Sequence, residues 1–264
     1  MTRRFDAFGT TIAIEADHPE VFRHLDQWLP AFEPAPQSSL PLVRYRVTAS
    51  ARTADMVVVR DRRTLAAAGG PAVAARVLAA DLVVTLSRTS PAWTFIHAGV
   101  VAVDGRAILL PGASHSGKST LVSALLRAGA EYGSDEFAAV DQHGRVRPWA
   151  RWLGMRRAGG PDERVDPLSL GARIMGDDLP AGAIVFTSFQ SAGAPVHLQP
   201  VGAGPAALRM LAHCLTARSG AGSTLRALRG LVVSARAYES PRSGAPEFAE
   251  RLLALGTTLA QGPR

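Results

Sequence analysis

The chain has 264 residues, 47% hydrophobic and 19% charged, a globular composition sufficient for one large domain or a domain with a smaller lobe. No apolar run reaches about eighteen residues, no apolar stretch follows the charged start Met1-Thr2-Arg3-Arg4-Phe5-Asp6, and Cys214 is the only cysteine. The expectation is a cytoplasmic protein with no membrane span, secretory signal, intrachain disulfide or cysteine-cluster metal site. The formal net charge is +7, yet Lys118 is the only lysine, so arginine serves as the ordinary surface cation and the excess is weak evidence for a nucleic-acid partner.

Along the chain, residues 1–90 read as a small α+β lobe. Thr10-Thr11-Ile12-Ala13-Ile14 and Val43-Arg44-Tyr45-Arg46-Val47 have strand character, and Pro34-Ala35-Pro36 marks a loop. A helix is expected over 71–84, with Pro71 in its first turn, where a missing N–H costs nothing. Residues 91–264 form the second expected domain. There, the apolar run 96–103, then Asp104-Gly105, then Ala107-Ile108-Leu109-Leu110 predicts a tight hairpin.

The second hairpin strand runs into Gly112-Ala113-Ser114-His115-Ser116-Gly117-Lys118-Ser119, which fits the phosphate-loop pattern G-x4-G-K-[ST]. Glycines allow successive backbone N–H groups to turn toward phosphate oxygens, and the following helix offers its N-terminus to the same anion. Lys118 is expected to neutralise the outer phosphates and Ser119 to ligate Mg2+. The expected nucleotide-binding set is Gly112 through Thr120, with ATP and Mg2+ as the cofactors. Leu121, Val122, Leu125 and Leu126 then share a helix face, which Gly129 ends.

Further on, Phe137-Ala138-Ala139-Val140 reads as a buried strand turned by Asp141-Gln142-His143-Gly144 into Arg145-Val146-Arg147. A strand at Ala183-Ile184-Val185-Phe186, a helix over 205–215, a strand over 231–238 and an amphipathic helix over 246–259 complete the expectation. Residues 219–223, rich in Gly and Ser, read as a mobile loop. No acidic residue ends the strand at Phe186, where a metal-binding carboxylate would be expected. An acidic pair instead stands at Asp135-Glu136, Asp135 being seventeen residues after Lys118.

The segment Ile96-His97-Ala98-Gly99-Val100-Val101-Ala102, Asp104-Gly105-Arg106-Ala107-Ile108-Leu109-Leu110-Pro111, the phosphate loop, Leu126-Arg127-Ala128-Gly129 and Gly133-Ser134-Asp135-Glu136 resembles the HPr kinase/phosphorylase family and its shorter relatives. The resemblance implies an α/β phosphoenolpyruvate-carboxykinase-like P-loop fold with a mixed sheet. It also implies a kinase acting on a hydroxyl of a peptide, protein or small molecule, and a homo-oligomer. It assigns Asp135 as the base on the accepting hydroxyl, Glu136 as a metal ligand where the family has a second aspartate, and His97 a place near the transferring phosphate. The glycine-rich signature through which true HPr kinases act on their protein substrate is missing, which argues against HPr as the acceptor.

Each of these residues also has a plainer reading: His97 as a satisfied core histidine, and Asp135-Glu136 as a solvated turn. The stretch from Trp149 to Arg157 mixes aromatics and arginines; it suits a surface loop with docked tryptophans, a nucleic-acid patch or an acceptor-binding loop. Arg156, Arg157 and Arg218 are candidates to assist transfer as an arginine finger does. Cys214 and His213 show no metal-ligand spacing. Beside the kinase stand two alternatives: a non-catalytic nucleotide-binding regulator or scaffold, and a decarboxylating carboxykinase, for which the chain is short.

Overall fold

The computed structural model describes residues 1–261 apart from 37, 52, 54, 113–115, 156–162, 191–195, 216–219 and 243. The chain divides into two compact units, Met1–Pro91 and Ala92–Arg264.

The first unit contains β1 (Thr2–Ala7), β2 (Thr10–Ala16), α1 (Glu20–Leu25), β3 (Glu33–Pro34), β4 (Val43–Ala49), β5 (Asp55–Arg60), β6 (Arg63–Gly69) and α2 (Gly70–Thr89). The strands form one sheet in the order β3-β1-β2-β4-β5-β6. In β4, Val43, Tyr45 and Val47 are buried while Arg44 and Arg46 are exposed, the period-two alternation of a strand with one covered face. Pro34, the first residue of the expected loop Pro34-Ala35-Pro36, instead ends the two-residue edge strand Glu33–Pro34, a position that tolerates proline. Helix α2 runs past its expected end at 84, because Leu78, Leu82 and Leu86 continue one buried face. Midway along it, Asp81 accepts from Arg60 and from the Tyr45 hydroxyl, each at 2.7 Å. Among the described residues, α2 is the one helix whose length and composition would allow it to cross a bilayer, and 50% of its most apolar window is buried inside the protein.

The second unit begins with β7 (Thr94–Val103), β8 (Arg106–Pro111), α3 (Lys118–Arg127), β9 (Glu131–Ser134), β10 (Phe137–Val140), β11 (Arg145–Arg147), β12 (Leu153–Met155) and β13 (Glu163–Val165). It continues with β14 (Leu179–Phe189), β15 (Gln199–Val201), α4 (Ala203–Leu211), α5 (Ala221–Ser234), β16 (Arg236–Arg242) and α6 (Ala245–Gln261). The main sheet has the order β11-β10-β7-β8-β14-β16-β15, with β9 also on β7. It is mixed: β8 and β16 run parallel to β14, whereas β7 is antiparallel to β8. Asp104 (φ 48°) and Gly105 (φ 75°) make the two-residue turn of the β7–β8 hairpin, both left-handed as a type I′ turn requires.

Two apolar clusters make up the core of this unit. One gathers alternate residues of β7, β8 and β14 with α4 and α5; the other gathers the remaining alternate residues with α3 and α6. The expected strand over 231–238 is corrected: residues 231–234 end helix α5, and the strand is Arg236–Arg242. Val232 and Val233 give the segment β character, but Thr224, Ala227, Leu228 and Leu231 are buried at helical spacing, and that packing overrides propensity. The mixed α/β architecture with mixed sheets agrees with the expected fold class at that level.

Candidate functional site

Strand β7 aligns two chain segments that lie far apart in sequence. On one edge Ala98 stands opposite Pro111, the last residue before the loop that begins at Gly112. On its other side, the Ala98 N–H donates to the Glu136 carbonyl at 3.0 Å. Strands β9 and β10 both pair with β7 and are separated only by Asp135-Glu136. The local cause of that break is Ser134, whose buried hydroxyl oxygen accepts from the N–H groups of Glu136 and Phe137, each at 3.0 Å. A serine side chain that captures backbone donors in this way competes with the ladder and turns the chain.

At the loop, Ala113, Ser114 and His115 lie outside the described residues. Gly112, Ser116, Gly117, Lys118 and Ser119 are half-buried, and Thr120 is exposed. Gly117 precedes α3 at φ 78°, a left-handed conformation that glycine adopts at little cost. Lys118 Nζ donates to the Gly112 carbonyl at 2.7 Å, drawing the two ends of the loop together. Burial lowers the Lys118 ammonium to about 8, an effect that Asp135 opposes. Ser119 Oγ donates to Asp135 Oδ2 at 3.0 Å, so the loop and the acidic pair meet directly.

Asp135 is 3% exposed. Its carboxylate also accepts from the Gly154 N–H at 2.9 Å and from the Tyr132 hydroxyl at 3.4 Å, and Arg151 Nε lies 3.5 Å from Oδ1. Arg151 is itself buried and pairs through Nη2 with Glu136. Neither half of the acidic pair is a free solvated turn. His97 packs its ring near Phe137, the centroids 5.7 Å apart, and its backbone N–H donates to the His213 carbonyl. Burial lowers the His97 imidazole to about 4, with Lys118, His213 and Arg151 pushing the same way and Asp135 opposing. His97, Lys118 and Asp135 therefore lie within electrostatic reach of one another, and His97 is neutral at neutral pH.

Other expected features fall elsewhere. Arg156, Arg157 and Arg218 lie outside the described residues. Trp149 is fully buried edge-on to Phe95 and Phe137, so it serves the core and offers no stacking face to a base. Cys214 follows α4 instead of lying within it; its Sγ donates to the Met210 carbonyl, and burial raises its thiol to about 12. Among the described residues, no three His, Cys, Asp or Glu side chains gather as a metal cage.

Two arginines close the site, and the sequence did not single out either for this role. Arg151 lies in the mixed aromatic-arginine stretch, whose position just after the acidic pair was the available signal. Arg242, at the end of β16, donates from Nη2 to the Ser116 carbonyl at 2.8 Å, and no local pattern announces a contact across 126 residues.

No protein-family model matches this chain, and no curated protein matches it. Among solved structures, the chain is similar to the HPr(Ser) kinase/phosphatase from Coxiella burnetii at 13% identity and a TM-score of 0.36, covering 64% of this chain and 99% of that one. A similarity of that degree carries no argument about activity.

Proposed function

We propose that the chain is a phosphotransferase that moves the γ-phosphoryl group of a nucleoside triphosphate, ATP by expectation, to a hydroxyl on a peptide, protein or small molecule. The observation that carries this reading is the 3.0 Å hydrogen bond from Ser119, in the phosphate loop, to Asp135. It joins an anion-binding loop to a buried carboxylate, the pairing that phosphoryl transfer needs.

The donor chemistry fits Mg2+: Ser119 and Asp135 present hard oxygen atoms side by side, with Glu136 next in the chain. Ser119 and Glu136 would hold it, and when bound it would neutralise charge on the phosphates. Lys118 and the N-terminus of α3 bind and orient the polyphosphate. Asp135, whose Oδ2 accepts from the Ser119 hydroxyl, would take the proton of an acceptor hydroxyl. In the balanced step, the bond from the γ-phosphorus to the bridging oxygen breaks and a bond to the acceptor oxygen forms. The acceptor proton passes to Asp135, and the nucleoside diphosphate departs. His97, half-buried and neutral, adds no charge of its own to the site.

Asp135→Asn tests the assignment. Transfer from Mg-ATP, followed by mass spectrometry of candidate acceptors, should fall by a factor of about 100 or more, the range of a general base, while the affinity for Mg-ADP stays within a few-fold. Transfer at the wild-type rate contradicts it. One observation favours the second reading, a nucleotide-binding regulator: protein groups engage both oxygens of Asp135, as in a structural ion-pair network. Under that reading the wild-type chain binds Mg-ATP and transfers nothing to any acceptor.

A further inference from the structure

Arg242 ends β16, two strands from β8 in the sheet, and its side chain reaches back to the start of α3. Nη2 donates to the Ser116 carbonyl at 2.8 Å, and a Cβ added at Gly117 would collide with that same nitrogen. The arginine is 3% exposed, and its Nε is buried with no hydrogen-bond partner among the described residues. No carboxylate among the described residues pairs with it; its guanidinium also lies over the Phe189 ring, 5.8 Å from the centroid. The Ser116 hydroxyl is likewise buried and without a hydrogen-bond partner among the described residues. The Gln190 N–H holds the Arg242 carbonyl at 3.0 Å, so the backbone from which the side chain projects is fixed.

A guanidinium remains charged across the working pH range, so burial leaves it a cation in need of an anion. Buried charges in proteins are paired, and removing the partner of one is strongly destabilising. Yet here the cation lies against the loop and helix N-terminus that attract negative charge. The contact has a second geometric consequence. The Ser116–Gly117 peptide is trans and planar, so its C=O and N–H point in opposite directions. A guanidinium that holds the carboxyl-side C=O of Ser116 toward itself turns the Gly117 N–H away, toward the opposite face of the loop.

We propose that Arg242 is a positioning residue of the phosphate site: it pins the Ser116–Gly117 peptide and adds a permanent cation to the loop that carries Lys118, with the polyphosphate of the nucleotide as its counter-charge. This rests on the reading of residues 112–120 as a phosphate-binding loop. It differs from the arginine-finger expectation for Arg156, Arg157 and Arg218 in naming another strand and another role, shaping the loop.

The test uses the full-length chain as wild type, R242M, R242K and the loop control K118M. Calorimetric titration with Mg-ADP and with magnesium pyrophosphate is set beside thermal melts without ligand. The proposal expects R242M to melt at or above the wild-type temperature, since an unpaired buried charge is gone, yet to bind both probes at least 10-fold more weakly. R242K, which keeps the charge but loses the planar fork, should recover part of that loss. Binding of both probes by R242M within twofold of wild type overturns the proposal. So does a loss of affinity that is equal in R242K and R242M and accompanies a lowered melting temperature in both, which marks a packing role. If wild type and K118M bind Mg-ADP equally, the phosphate-loop reading itself fails, and the assignment of Arg242 fails with it.

Discussion

His97 is surrounded by charge that it does not share. Burial, then Lys118, His213 and Arg151, holds its imidazole at about 4 against an ordinary value of 6.5, and only Asp135 works the other way. The folded state therefore refuses a proton that the unfolded chain accepts between those values. The stabilising contribution of neutral His97 is complete above about 6.5 and is lost as the pH falls toward about 4. His213, also lowered chiefly by burial, contributes with the same sign. Chemical denaturation between pH 7 and pH 4 should show stability falling with acidification, and His97→Asn should shallow that slope. An unchanged slope would remove His97 from the buried cluster. Cys214 offers an independent check on burial: with its thiol raised to about 12, it should resist alkylation by iodoacetamide at pH 8 in the native chain and react on unfolding. Rapid native-state labelling would contradict its placement.

Among the elements, the β9–β10 break does most to build the site, and a single hydroxyl organises it. Ser134→Ala leaves two partly buried N–H groups without this acceptor, an expected loss of about 1–3 kcal/mol in all. The chain would then be free to straighten against β7 and carry Asp135 away from Ser119. A denaturation midpoint that does not move would show that the break is held by other means. In α5, Leu228→Ala should cost about 2–5 kcal/mol, because a 2%-exposed leucine on the inner face leaves a cavity; a strand in its place would not give Ala227, Leu228 and Leu231 a common buried side. These elements show what the sequence could reveal. The Asp104-Gly105 turn, the loop and the four leucine and valine positions of α3 are written in contiguous residues, each with a local physical cause. The helix over 231–234 was not legible, because β-branched Val232 and Val233 favour a strand and only tertiary burial decides. The Ser119–Asp135 contact was legible as proximity of motifs, whereas the contact from Arg242 to Ser116 depends on strand order in the sheet, which no short-range pattern encodes.

In the molecule as a whole, every described member of the candidate site lies within the unit Ala92–Arg264, and Met1–Pro91 contributes none of them. The mixed sheet places the end of β8 beside the acidic pair, with β7 aligning both and β16 delivering a buried arginine to the same loop. Among the described residues, Lys118 and Arg242 contact the 112–119 loop and Arg151 the acidic pair, cations that under the proposed function would favour an incoming polyphosphate. The excess of arginine over the chain has no need of a nucleic acid to explain this concentration, since the lone lysine is at its centre. The most direct measurement is calorimetric titration of the full-length chain with Mg-ATP, in parallel with K118M. The account predicts saturable one-to-one binding by the wild-type chain and at least 10-fold weaker binding by a K118M variant that melts normally. Equal affinity in the two proteins, or no binding by the wild type, would contradict it.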